Sequence, residues 1–195
     1  MASGTGSAAS ARDLMVSGRP YDPTDAALLA DRARAEKLLR KFNGMLESQW
    51  DEAEGVVREL LGTLGAGCHV IPPFRCDFGY NVHLGDGTFV NFDVAVMDGA
   101  PVRIGKRALI GPRSTLCTAV HPIDPKARAA GLVSARPIEI GDDVWLGAGV
   151  IVNPGVTIGA GTIVGSGSVV TRDIPPNVIA AGSPCRVIRT IDPSE

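Results

Sequence analysis

The sequence predicts a mainly β chain: a parallel β-helix of six-residue repeats, preceded by a helical segment and interrupted by one protruding loop. Three observations predict it. An aliphatic residue recurs at every sixth position through two long stretches of the chain. The apolar spacing ahead of that repeat is helical instead. The six-residue beat stops once, after "CTAVHPID" (117–124), and later resumes in the same period.

Composition narrows the possibilities. The 195 residues allow one domain with an appendage. Hydrophobic residues make up 45 %, aromatics only 5 %, and there are 24 glycines, which suits narrow, repetitive packing of Val, Ile, Leu and Ala. A net charge of −2 lacks the basic footprint of a nucleic-acid binder. Cys68, Cys76, Cys117 and Cys185 form no C-x-x-C pair, so they read as small buried hydrophobes in a reducing compartment. No apolar run is as long as a membrane span. Residues 1–13 are small and polar without the apolar centre of a signal peptide, and read as a disordered tail. Together these features lead to an expectation of the cytoplasm.

A helical segment is expected over 14–67. Thr24 is a plausible N-cap, followed by Ala26, Leu28, Leu29, Leu38, Leu39 and Phe42 at helical spacing. A second helix is expected to start at Ser48, with Asp51 completing a variant capping box. Trp50, Ala53, Val56, Val57, Leu60, Leu61 and Leu64 form its stripe, and Gly62, Gly65 and Gly67 are expected to end it.

From about residue 68 to 190 the β-helix is expected. Leu84, Val90 and Val96 are six apart. After a two-residue slip come Ile104, Ile110 and Leu116, and after the break Ile140, Leu146, Val152, Ile158, Val164 and Val170. A second, smaller series lies two residues earlier, so one outward residue separates two inward ones, the pattern of a short strand. A glycine often follows the aliphatic, which suggests a turn with positive φ. One hexad cannot bury its inward residues alone, whereas three per coil would make a triangular prism with a continuous aliphatic column.

The interruption spans about 120–137 and opens with His121. Pro122 biases His121 toward extended backbone. A neutral imidazole can accept a proton from an attacking hydroxyl. The residues alone leave open whether His121 acts so or is an idle loop histidine.

The stretches "SGRPYDPTD", "PPFRCDFGYNVHLGDGTFVNF", "MDGAPVRIG", "HPID", "IGDDVWLGAGVIVNPGVTIG" and "GSVVTRDIPPNVIAAGSPCRVIR" carry a resemblance. Nearly the whole chain after residue 16 is similar to the maltose/galactoside O-acetyltransferases, hexapeptide-repeat enzymes that include the nodulation acetyltransferases. The resemblance implies a left-handed parallel β-helix, a homotrimer with active sites between neighbouring chains, acetyl-CoA as co-substrate and a small-molecule sugar as acceptor. It implies no metal, nucleic-acid or membrane partner.

Residue by residue, His121 matches the family's general base, and Asn91 matches a residue that orients the reacting groups. Asp22, Arg32 and Asp98 fall at acceptor-sugar positions, where carboxylates and guanidinium groups suit vicinal hydroxyls. Trp145, Gly147, Ala148, Ser166, Thr171, Arg172, Arg186 and Arg189 fall at acetyl-CoA positions, with Arg172 replacing the family's lysine. Some members carry Ser where this chain has Ala148, so a backbone N–H is expected to serve the transition-state oxyanion. Cys117 is read as buried rather than as a nucleophile. The alternatives are a hexapeptide acetyltransferase for serine, an antibiotic or an amine, and a non-catalytic scaffold. A zinc site from His69, His83 and His121 is not expected, because paired histidines on adjacent coils are missing.

Overall fold

The structure is a computed structural model and describes residues 9–192. Four α-helices are present among them: α1 (Ala11–Val16), α2 (Ala26–Asn43), α3 (Trp50–Leu60) and α4 (Pro125–Ala129). The expectation of a disordered tail fails at its end, because Ser10 and Asp13 form a reciprocal capping box that starts α1. The rest of that expectation, residues 1–8, lies outside the described residues.

Two further helix starts differ from expectation. Asp25, not Thr24, caps α2 by accepting the Ala27 N–H at 2.9 Å. The Thr24 hydroxyl is taken by Asp22, to whose Oδ1 it donates at 2.6 Å. Ser48 does not cap α3; the chain enters through a 3₁₀ turn, Glu47–Gln49, and Gln49 precedes α3 without a side-chain cap. On α2, Leu28, Leu38 and Phe42 are buried while Leu29 faces solvent. On α3, Ala53, Val56, Val57 and Leu60 are buried. Except for Leu28, these buried residues join the solenoid's aliphatic column in one continuous core.

The solenoid has three faces of parallel strands, and the expected column is present in register. Leu84, Ile104, Ile140 and Ile158 stack on the first face. Val90, Ile110, Leu146 and Val164 stack on the second, and Val96, Leu116, Val152 and Val170 on the third. None of these twelve is more than 4 % exposed. The first rung is Thr63–Leu64, paired with Val82–Leu84, earlier than the hexad pattern indicated. The buried hydroxyls of the smaller inward series are satisfied by carbonyls, as with Thr88 on Gly105 at 2.6 Å and Thr162 on Pro175 at 2.8 Å.

The glycines that follow the aliphatic residues have a different reason from the expected one. Gly105 and Gly111 do not have positive φ. A Cβ on Gly111 would lie 2.6 Å from the Gly147 backbone of the next coil, so these glycines permit coil-on-coil contact. Positive φ occurs at a different set, such as Gly149 and Gly167, and at Asp93, Arg107, Arg113, Asp143 and Asn177.

The widened corners and the excursion share one edge of the prism, between the third and first faces. From Cys76 to Val82 and from Val96 to Val102 the inward positions are six apart, against four from Leu84 to Thr88 and from Val90 to Val94, and the excursion leaves from the same edge one coil on. There Ala119–Val120 pairs antiparallel with Ser134–Ala135, and α4, capped by Asp124, forms the tip. Thr118 ties the excursion to the coil below: its hydroxyl donates to the Met97 carbonyl at 2.6 Å and accepts the Ala100 N–H at 3.1 Å.

Candidate functional site

The residues singled out in the sequence form two groups on different edges of the prism. The first lies where the second face turns into the third. Asn91, Trp145, Gly147, Ala148 and Ser166 line one groove of about 430 Å³, walled by Phe89, Leu109 and Pro112. Stacked coils explain the convergence: residues at one corner recur in register, so positions far apart in sequence become neighbours. Trp145 points outward from its strand and is 51 % exposed. Asn91 sits at the corner, its Oδ1 accepting the Phe92 N–H at 2.8 Å.

Ala148 presents a backbone N–H in this groove, but that N–H is not free. It donates to the Ser166 hydroxyl oxygen at 3.1 Å. The absence of a side chain at Gly147 makes this possible, since a Cβ there would lie 2.6 Å from both Ser166 N and Oγ. The backbone N–H at Ala148, expected to serve the oxyanion, thus already has a hydrogen-bond partner in Ser166.

The second group lies along the irregular edge. His121 directly follows the Ala119–Val120 strand and is exposed. Asp22 lies just before α2, and its carboxylate accepts the Thr24 N–H at 2.8 Å and hydroxyl at 2.6 Å. Those bonds hold it below the ordinary carboxylate range. Arg32 lies with its guanidinium 5.1 Å from the centre of the Phe78 ring. One terminal nitrogen donates to the Pro23 carbonyl at 3.3 Å, while its Nε is buried without a partner among the described residues.

Asp98, expected to face an acceptor, is instead fully buried. Its Oδ1 accepts the N–H groups of Asp77 and Phe78, each at 2.9 Å. The widened corner turns two successive N–H groups inward, and a buried acceptor must meet them. Burial, aided by the charge of Asp77, pushes the Asp98 carboxyl up to about 6, while the backbone N–H bonds from Phe78, Asn81 and Asp77 oppose the rise.

Sequence reading missed Asp77. Burial raises its carboxyl, while the charge of Arg32 opposes that rise. It borders a small recess of about 200 Å³ with Arg75, Cys76 and Met97. A signal was available: "CDFG" and "MDG" place an acid at the same corner of successive coils.

The remaining residues divide between these edges. Thr171 and Arg172 follow the last strand of the third face, on the His121 edge, and are exposed. The strand Cys185–Thr190 folds back antiparallel on Val178–Gly182. It places Arg189 opposite Ile179, in the outward column that passes through Trp145 and Ile163. Arg186 lies opposite Ala181, whose side chain would meet a Cβ on Gly165 at 2.9 Å. Both arginines thus extend the groove side. His69 is held between the rings of Trp50 and Phe89, at 4.4 and 6.0 Å, and His83 contacts the Thr63 hydroxyl at 3.2 Å. His69 projects from the second face and His83 from the first.

Comparisons with known proteins agree with this architecture. The family described as "Maltose acetyltransferase hexapeptide capping motif" matches residues 14–65, and "Bacterial transferase hexapeptide (six repeats)" matches residues 137–172. Nodulation protein L of Rhizobium meliloti is 43 % identical over 176 residues, covering 90 % of this chain and 96 % of its own. A maltose O-acetyltransferase from Clostridium difficile 630 superposes with a TM-score of 0.93 at 42 % identity, covering 95 % of this chain and 99 % of that one. A galactoside acetyltransferase in complex with coenzyme A superposes with a TM-score of 0.90 at 38 % identity, covering 95 % of this chain and 92 % of that one.

Proposed function

The chain belongs to the hexapeptide-repeat acetyltransferases of the maltose and galactoside type, and on that premise we propose that it moves the acetyl group of acetyl-CoA to a sugar hydroxyl, using His121 as general base. The groove of Asn91, Trp145, Gly147, Ala148 and Ser166 is the acetyl-CoA site. Its mostly apolar walls suit the pantetheine arm, with Trp145 as the largest contact. Arg186 and Arg189 extend the groove toward the phosphates, which guanidinium groups bind well. The relative solved in complex with coenzyme A supports this choice of co-substrate.

The observation that carries the mechanism is the separation of the two groups. Asn91 and the groove lie on one edge, and His121 with Arg32, Asp77 and Asp22 lies along another. A neighbouring copy that sets its His121 edge against this groove completes a site, and a closed ring of three copies makes three such sites. Thr171 and Arg172 then reach the co-substrate from the His121 side. The Nε of Arg32, without a partner among the described residues, and the carboxylates of Asp77 and Asp22 supply the donors and acceptors a hydroxyl-rich acceptor needs. Asp98 acts beneath them by fixing the Asp77–Phe78 backbone.

The chemistry is direct transfer. The acceptor hydroxyl loses its proton to His121 as its oxygen attacks the thioester carbonyl. The tetrahedral intermediate collapses, and CoA leaves as the thiol. Acetyl transfer to a panel of sugars, with product detected by mass, tests this reading. The wild type acetylates at least one sugar, and His121→Ala loses roughly a hundredfold or more while still binding CoA. Equal product from both proteins would remove His121 from the mechanism. CoA binding without transfer to any sugar would redirect the acceptor search to amines, antibiotics and serine.

A further inference from the structure

A thioester carbonyl needs a hydrogen-bond donor as it becomes an oxyanion. The corner at Ala148 offers no side-chain hydroxyl, and its N–H is engaged by Ser166 at 3.1 Å. That engagement has a consequence for Ser166. A hydroxyl that accepts through its oxygen still has its own proton to donate, and accepting from an amide polarises the O–H bond. The oxygen is held in place by the Ala148 amide on one side and by close packing over Gly147 on the other. Ser166 is exposed to the groove it shares with Asn91 and Trp145. A hydroxyl absent from one coil is thus presented from the next, 3.1 Å from the Ala148 nitrogen.

We propose that the Ser166 hydroxyl is the donor that meets the thioester oxygen in the transition state, and that the Ala148 N–H orients it. The inference rests on the reading that acetyl-CoA occupies this groove. In the step, the acceptor oxygen forms a bond to the acetyl carbon and its proton passes to His121. The carbonyl π pair moves onto oxygen, which receives the Ser166 hydrogen bond. When that pair returns, the carbon–sulfur bond breaks and the departing sulfur takes the proton from His121. Ser166 keeps its proton throughout and forms no covalent bond.

This assignment and a backbone-amide oxyanion site predict opposite results for one variant. Ser166→Ala removes the hydroxyl and releases the Ala148 N–H. If Ser166 is the donor, kcat falls about a hundredfold, while the affinity for CoA, which carries no carbonyl at the reacting position, changes less than about twofold. Ala148→Ser in the Ser166→Ala background returns a hydroxyl to the corner and recovers kcat roughly tenfold or more. A Ser166→Ala protein with wild-type or higher kcat overturns the proposal in favour of the released amide. Weaker CoA binding with unchanged kcat overturns it in favour of a purely binding role. A wild type that does not bind CoA overturns the groove assignment itself, and this is seen before any substitution is made.

Discussion

Tyr21 and Val133 exchange both of their backbone hydrogen bonds, Tyr21 N–H to Val133 O at 2.9 Å and Val133 N–H to Tyr21 O at 3.1 Å. The segment before α2 is thereby joined to the returning limb of the excursion. One residue further along that limb, Ser134 pairs with Val120, and His121 follows Val120. Beneath this junction Met15, Tyr21, Leu28, Phe78 and Val133 form a second apolar cluster, separate from the solenoid column. Salt-bridged Arg12 and Asp31 tie α1 to α2 at 2.5 Å, and the Tyr80 hydroxyl donates to the same carboxylate at 3.1 Å.

Met15 is the fully buried plug of that cluster. Met15→Ala is expected to cost about 2–5 kcal/mol of local packing. Amide exchange at Val133 should accelerate while amides in the solenoid column stay protected. Acetyl transfer should fall with little change in CoA affinity, and Met15→Leu should restore it. Exchange accelerating equally across the solenoid would show that α1 serves global stability rather than the loop.

Asp98 gives a prediction in pH. Its carboxyl lies near 6 in the folded chain, above the ordinary value of a free aspartate. The folded state therefore holds the proton more tightly than the unfolded state. The corresponding stability is fully present below about pH 4 and is lost as pH rises through about 6. Asp98→Asn retains an oxygen acceptor for the Asp77 and Phe78 N–H groups and does not ionise. Urea denaturation of both proteins should show the variant gaining relative to wild type between about pH 4 and 7. A constant difference across that window would contradict the burial of an ionisable Asp98.

The repeat was legible because each hexad must bury its own aliphatic residue, and that requirement is written locally. The coil-on-coil role of Gly111 was not legible, since a glycine in sequence does not tell positive φ from close approach. Asn91, Trp145 and Ser166 were singled out through family resemblance, and their shared groove follows only from stacking. The burial of Asp98 was hidden because "MDG" has the look of an exposed turn. The two-residue slip beside it was visible, but not that the corner it widens turns N–H groups inward.

The glycine distinction can be tested directly. Gly111→Ala sets a Cβ 2.6 Å from the Gly147 backbone, which cannot yield without parting the coils. It should destabilise by about 3 kcal/mol or more. At Gly149, φ is +67° and nothing lies within 4 Å of a built Cβ. Gly149→Ala should cost only the left-handed backbone penalty, about 1–2 kcal/mol. Denaturant midpoints of the two variants should fall in that order, and the reverse order would remove coil contact as the reason for Gly111.

In the proposed mechanism, His121 and Asn91 of one active site come from different copies of the chain. His121→Ala and Asn91→Ala proteins, each inactive alone, can be unfolded together, refolded as an equal mixture and assayed for acetyl transfer, with mixed assemblies verified by mass. In a three-membered ring, about a quarter of the sites should combine an intact Asn91 groove from one chain with an intact His121 from its neighbour. Recovery toward that fraction of wild-type activity is the predicted result. Verified mixed rings that remain as inactive as either variant would place both residues of each site in a single chain and contradict the account.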